Sequence, residues 1–112
     1  MRIRKSLGDL DSAAFTLFGI ANLYWARPHY PIPGIGDPHR AIEYAEQAVA
    51  LTPQKSNKAT FLGQLSSWYA ILGDVQRAIQ YSDLAASYDK RYDFDRAERM
   101  RYIREFAQQG YI

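Results

Sequence analysis

The feature that most constrains this chain is that it says the same thing twice. The stretch GDPHRAIEYAEQAVALTP, from Gly36 to Pro53, returns from Gly73 as GDVQRAIQYSDLAASYDK. Gly36 pairs with Gly73, Asp37 with Asp74, Arg40 with Arg77, Ala41 with Ala78, Ile42 with Ile79, Tyr44 with Tyr81 and Ala48 with Ala85, each pair 37 residues apart. Self-similarity at a fixed period of roughly 20 to 50 residues is the mark of a stacked repeat, in which no unit buries its apolar face without a neighbour.

At 112 residues the chain has room for one domain, and a chain of this size buries roughly two thirds of its unfolded surface around one core. Charged residues make up 23% and the net charge is +2, which is no strong field toward nucleic acid or an anionic membrane. Cysteine is absent, which removes disulfides, thiolate chemistry and cysteine metal sites together. The basic start Met1 to Lys5, followed by apolar Ala13 to Ala26, imitates a signal peptide. Asp9 and Asp11 interrupt the approach, Asn22 sits inside the run, and Trp25 to Pro28 is a poor cleavage site. The run also falls short of the ~20 apolar residues of a membrane span. The expected setting is cytoplasmic, with no membrane partner.

Taken in order, residues 1–10 read as a loose lead-in. A first helix is expected from Asp11 or Ser12, its face carried by Phe15, Phe18, Ala21, Asn22 and Trp25, stopping before Pro28. The loop 28–38 holds four of the five prolines and excludes regular helix; Tyr30, Ile32 and Ile35 make it too apolar for a free linker. A second helix begins at Asp37 with Pro38 in its first position, where a missing amide hydrogen costs nothing, and ends at Thr52-Pro53. A third runs from a cap at Ser56 or Asn57 to Leu72, with Leu62, Leu65, Tyr69 and Leu72 on its main face and Phe61 and Trp68 beside them. Gly73-Asp74 turns the chain into a fourth helix, reaching about Tyr88. The last, from about Asp93 or Asp95 to Gln109 with Gly110 as terminator, carries Phe94, Ala97, Met100, Ile103 and Phe106 or Ala107 on one face and Arg96, Arg99, Arg101 and Arg104 on much of the rest. It suits a cap. The expected fold is therefore all-α, with five helices in antiparallel hairpin repeats.

These residues resemble the tetratricopeptide repeat family, whose helix pairs follow a W-x2-L-G-x2-Y, A-x3-F, P pattern. In the second repeat, 56–88, Leu62, Leu65, Ser66 and Tyr69 stand at the first pattern positions, Gly73 at the turn, and Ala78 and Ala85 at the small packing positions. In the first, 11–53, Phe15, Phe18, Gly19 and Asn22 are assigned to the former set, with Ala41, Ala48 and Pro53 at the latter and the loop 28–36 as an insertion. Residues 93–109 form the capping helix, and 11–112 a single domain. The departures are a missing tryptophan, Asn22 in place of a tyrosine, Ala45 and Ser82 in place of a large aromatic, Lys90 in place of a proline, and a period longer than the family's 34.

The resemblance implies a protein-interaction module or adaptor that binds a peptide or partner helix in a groove lined by the first helix of each pair. On this alignment the groove residues are Ala13, Thr16, Ile20, Leu23 and Tyr24, then Thr60, Gly63, Ser67, Ala70 and Ile71, with Tyr30 reaching from the loop. Thr16, Ile20, Gly63 and Ser67 stand where the family's carboxylate clamp has lysine and asparagine, so no such clamp is expected. Two repeats and a cap are short of the roughly three that stabilise an array, so self-association as a dimer through the apolar first helix is expected. The competing reading of the groove is that the loop, the last helix or a second copy covers it.

Trp25 and Trp68 read as helix-interface packing ahead of binding anchors. His29 and His39, near Asp37, lack the further ligands of a metal site, and Gly34-Ile-Gly36 lacks the lysine and preceding strand of a phosphate loop. No catalytic residue, metal ligand or cofactor site is expected, and no enzyme activity. Two alternatives stand beside the adaptor. One is nucleic-acid contact through the basic last helix, with Lys90 and Arg91; the interleaved Asp89, Asp93, Asp95, Glu98 and Glu105 favour a solvated face instead. The other is that the chain is a regulatory fragment of a longer repeat protein.

Overall fold

The computed structural model describes residues 7–25, 36–90 and 96–109. Within them the chain is all helix: α1 (Leu7–Trp25), α2 (Pro38–Leu51), α3 (Lys55–Ile71), α4 (Val75–Tyr88) and α5 (Arg96–Gln109). The lead-in residues 1–6, most of the proline-rich loop with Tyr30, Phe94 and Gly110 lie outside the described residues.

The repeated Gly-Asp pair starts α2 and α4 in the same way. Gly36 and Gly73 have φ of 67° and 88°, the left-handed region that costs other L-residues roughly 1–2 kcal/mol. The next residue caps: Asp37 accepts the Arg40 amide at 3.2 Å and Asp74 the Arg77 amide at 3.1 Å, satisfying one of the free donors of a helix start. Their own amides donate to the preceding helix, Asp37 to the Tyr24 carbonyl at 2.7 Å and Asp74 to the Tyr69 carbonyl at 2.8 Å. The ends match as well, with Thr52 donating to Ala48 and Asp89 to Ala85, both at 3.1 Å.

Each pair folds back on itself. Asp11 meets Thr52 at one end of the α1–α2 hairpin while Tyr24 meets Asp37 at the other. In the second hairpin Ala85 packs with Ala59 and Leu62, and Ser66 donates to the Ala78 carbonyl at 2.7 Å. Ala41, Ala45, Ala48, Ala78 and Ala85 are buried; without long side chains between them the helices approach closely. The main core gathers Ala21, Ile42, Leu65, Trp68 and Tyr69 with Ile103 of α5. α3 is the central helix. Phe61 and Trp68 meet Phe15, Phe18 and Trp25 of α1, and the opposite edge of α3 faces α5.

Four expectations change. α1 starts at Leu7 rather than Asp11. Asp11 is buried and turned inward, accepting from the Thr52 hydroxyl and from Asn57 Nδ2 at 3.1 Å, so it fastens the α2–α3 connection instead of capping. α3 starts at Lys55 after Gln54, which makes no side-chain cap, and Asn57 is spent on Asp11. Of the expected face of α1, Phe18, Ala21 and Trp25 pack on the core, joined by Leu10, Ala14, Leu17 and Tyr24, whereas Phe15 is 50% exposed and Asn22 is exposed. On α5, Ala97 is exposed and Arg99 is buried.

Candidate functional site

The matched hydrogen bonds to Tyr24 and Tyr69 set the register between α1 and α3 at 45 residues. Ala14 then corresponds to Ala59, Leu17 to Leu62, Ile20 to Leu65, Ala21 to Ser66 and Tyr24 to Tyr69, and in every pair both members are buried or half-buried. This register moves the first repeat by two residues from the assignment of Phe15, Phe18, Gly19 and Asn22. The physical reason is the tyrosine. Tyr24 stacks on Tyr44 with centroids 5.4 Å apart, as Tyr69 stacks on Tyr81 at 5.2 Å, and Arg40 and Arg77 lie over the Tyr24 and Tyr69 rings at 5.8 and 5.6 Å, within cation–π range. Beside Tyr24 the Arg40 guanidinium is held above its ordinary pKa, chiefly by a hydrogen bond to that phenol.

The first-helix face that continues the α3 groove is accordingly Phe15, Phe18, Asn22 and Trp25, which correspond to Thr60, Gly63, Ser67 and Ala70. Phe15 and Phe18 pack on Phe61 at 5.2 and 4.6 Å, Phe18 on Trp68 at 6.1 Å, and Trp25 stacks on Trp68 at 4.7 Å. The expected groove residues scatter. Tyr24 belongs to the hairpin packing, Ile20 is half-buried at the place of Leu65, and Ala70 and Ile71 are buried. Thr16 is exposed, its hydroxyl bonded to Ser12 O at 3.0 Å, and Leu23 is 64% exposed. Of the selected α3 residues, Thr60, Gly63 and Ser67 line an open feature.

That feature is a cleft of about 480 Å³ between α3 and α5, floored by α4. Thr60, Gly63, Gln64, Ser66 and Ser67 form one wall, Ser82 and Ala85 the floor, and Arg99, Tyr102, Ile103 and Phe106 the other wall. Two acids one repeat apart hold the stack together. Glu46 of α2 accepts from Tyr81 at 2.7 Å and Tyr69 at 3.3 Å. Its counterpart 37 residues on is Asp83, which accepts from Arg99 of α5 at 3.0 Å, with Ser82 accepting from the same nitrogen at 3.0 Å. α5 therefore stands to the second hairpin as the second stands to the first. Burial, and then the bond to Glu46, push the Tyr81 phenol pKa well up; Tyr69 rises mainly by burial as well.

Of the basic residues on α5 with described side chains, Arg99 is spent inside while Arg101 and Arg104 are exposed, Arg101 lying 3.5 Å from Glu98. His39 is exposed, and no group of three metal-ligating side chains occurs among the described residues. No described helix is long and apolar enough to cross a membrane. No protein-family model matches the chain, and comparison with curated proteins and with solved structures returned no match.

Proposed function

We propose that this chain is a protein-interaction module of the tetratricopeptide type that holds a peptide or partner helix across α1, α3 and α5. The observation that carries the reading is the open cleft beside α3: Thr60, Gly63 and Ser67 line it instead of being closed over by α5. Its continuation on α1 is aromatic, with half-exposed Phe15 and partly buried Phe18 and Trp25. Rigid aromatic anchors beside a small-residue channel are a familiar way for a surface to recognise a chain segment. The residue pairs at 37, the corrected W-x2-L-G-x2-Y positions Leu17, Ile20, Ala21 and Tyr24, and the two bridging acids all support the repeat assignment.

A displayed random-peptide library tests it. Wild type is expected to enrich a consensus, and Ser67→Arg and Phe15→Ser, both at accessible positions, are expected to weaken the enriched peptide at least about tenfold, the scale of one hot-spot contact. Enrichment without a consensus, or a consensus indifferent to both substitutions, would overturn the reading.

One further observation favours a second use of the same helix. From Ser12 to Trp25 α1 carries no charge, and Leu23 and Phe15 are exposed on it, which supports self-association through α1 into a dimer.

A further inference from the structure

The outward stripe of α1 is built symmetrically about one residue. We infer that it is a two-fold contact on which α1 of a second copy of this chain docks antiparallel, the two helices crossing at Gly19. This rests on the reading that α1 self-associates, gives that association its surface and arrangement, and is independent of the peptide reading.

The first observation is the symmetry. Phe15, Thr16, Gly19, Asn22 and Leu23 are all exposed and share one arc of the helix, opposite the buried Ala14 and Ala21. Phe15 and Leu23 stand four residues either side of Gly19, and Thr16 and Asn22 three either side. Turned end for end, the stripe therefore presents a large apolar group, a polar group and the glycine in the same places. An isologous interface needs that self-complementarity, since residue i of one copy meets j of the other and j meets i. Here Phe15 of each copy lies against Leu23 of the other.

The second is the glycine itself. Glycine inside a helix is destabilising relative to alanine, and a Cβ added at Gly19 meets nothing within 4 Å, so no packing within the chain calls for it. Between two copies it has a use. Phe15, Gly19 and Leu23 form an i±4 ridge, the kind that interdigitates in the commonest helix crossing, and a centre without a side chain lets the axes reach the near end of the usual ~8–10 Å.

The third is charge. From Ser12 to Trp25 there is none, and the Thr16 hydroxyl and Asn22 amide donate back to the Ser12 and Phe18 carbonyls at 3.0 and 2.9 Å. A charged partner segment would find no counter-ion on this stripe, whereas a second stripe brings no charge that must leave water. Antiparallel docking also sets the N-terminal end of one helix dipole beside the C-terminal end of the other. One helix on one helix is a small contact, so the dimer is expected to be weak and to form with concentration.

The chain has no cysteine, so introduced cysteines report the arrangement directly. Sedimentation equilibrium of the wild-type chain up to about 1 mM is expected to show monomer passing to dimer. Gly19→Glu sets like charges on the two-fold axis at a position open to solvent. It is expected to weaken the dimer at least about tenfold, with helicity by circular dichroism at the wild-type level. Gly19→Cys is expected to link to itself on oxidation, the approach of the two backbones suiting a disulfide. A short bismaleimide is expected to join Phe15→Cys to Leu23→Cys in preference to joining either to itself. A wild-type dimer that tolerates Gly19→Glu, fails to link through Gly19→Cys, or links Phe15→Cys to itself as readily as to Leu23→Cys would overturn this arrangement and leave self-association standing. A wild-type chain that stays monomeric throughout would overturn both.

Discussion

The fold opposes the ionisation of Tyr81. Its hydroxyl donates to Glu46 at 2.7 Å beneath the Tyr69 ring, and burial with the nearby carboxylate raises its pKa above the ordinary 10.0. A raised phenol pKa means that the folded chain holds the proton more tightly than the unfolded one. The contribution is complete below the unfolded value of about 10 and is lost as the pH climbs from there toward the folded value. The melting temperature is therefore expected to fall more steeply above pH 10 in wild type than in Tyr81→Phe, as calorimetry across pH 8 to 11 would register; parallel curves would mean that the bridge does not discriminate between phenol and phenolate. Single residues were readable where their meaning is local: Asp37, Asp74 and Pro38 sit at helix starts for reasons contained within four residues of chain. Asp11 was not readable, because its partners Thr52 and Asn57 lie 41 and 46 residues away. Arg99 was misread for a like reason, since nothing on its own helix announces Ser82 and Asp83.

At the scale of the element, α1 is where sequence and structure part. A helix apolar on more than one side offers two stripes, and the aromatic one, Phe15-Phe18-Trp25, outweighs the smaller Leu10-Ala14-Leu17-Ala21-Tyr24 in any reading by hydrophobicity. Packing favours the smaller stripe, because alanines let α2 close on α1 while the aromatics lie toward α3. The tyrosine was the available signal: placing Tyr24 opposite Tyr69 yields the register at once. Two substitutions separate the registers. Gly19 is an exposed mid-helix glycine with nothing within 4 Å of an added Cβ, so Gly19→Ala is expected to stabilise by roughly 0.5–1 kcal/mol. Ala21 is fully buried, so Ala21→Leu is expected to destabilise by roughly 1–3 kcal/mol. Urea titration of both variants checks this, and the opposite signs would restore Gly19 as the packing position.

At the scale of the whole molecule, hairpin follows hairpin by one rule, and α5 takes the place of a further first helix. α2, α4 and the Gly-Asp turns into them were present in the 37-residue echo, while α1, α3 and α5 were read from caps and apolar faces. The cleft was not, because it needs α5 beside α3, an arrangement set by Ile103 in the main core and by the Asp83–Arg99 pair from α4. Three first-position helices side by side, α1, α3 and α5, form the face on which the proposed function depends. The most direct test is backbone-amide chemical-shift mapping of an enriched peptide on the labelled chain. The account predicts that the shifts gather on Phe15, Asn22, Thr60, Gly63, Ser67 and Tyr102, and that exposed Glu43, Gln47, Gln80 and Leu84 on the supporting helices stay still. Shifts concentrated on α2 and α4, with α3 unmoved, would contradict it.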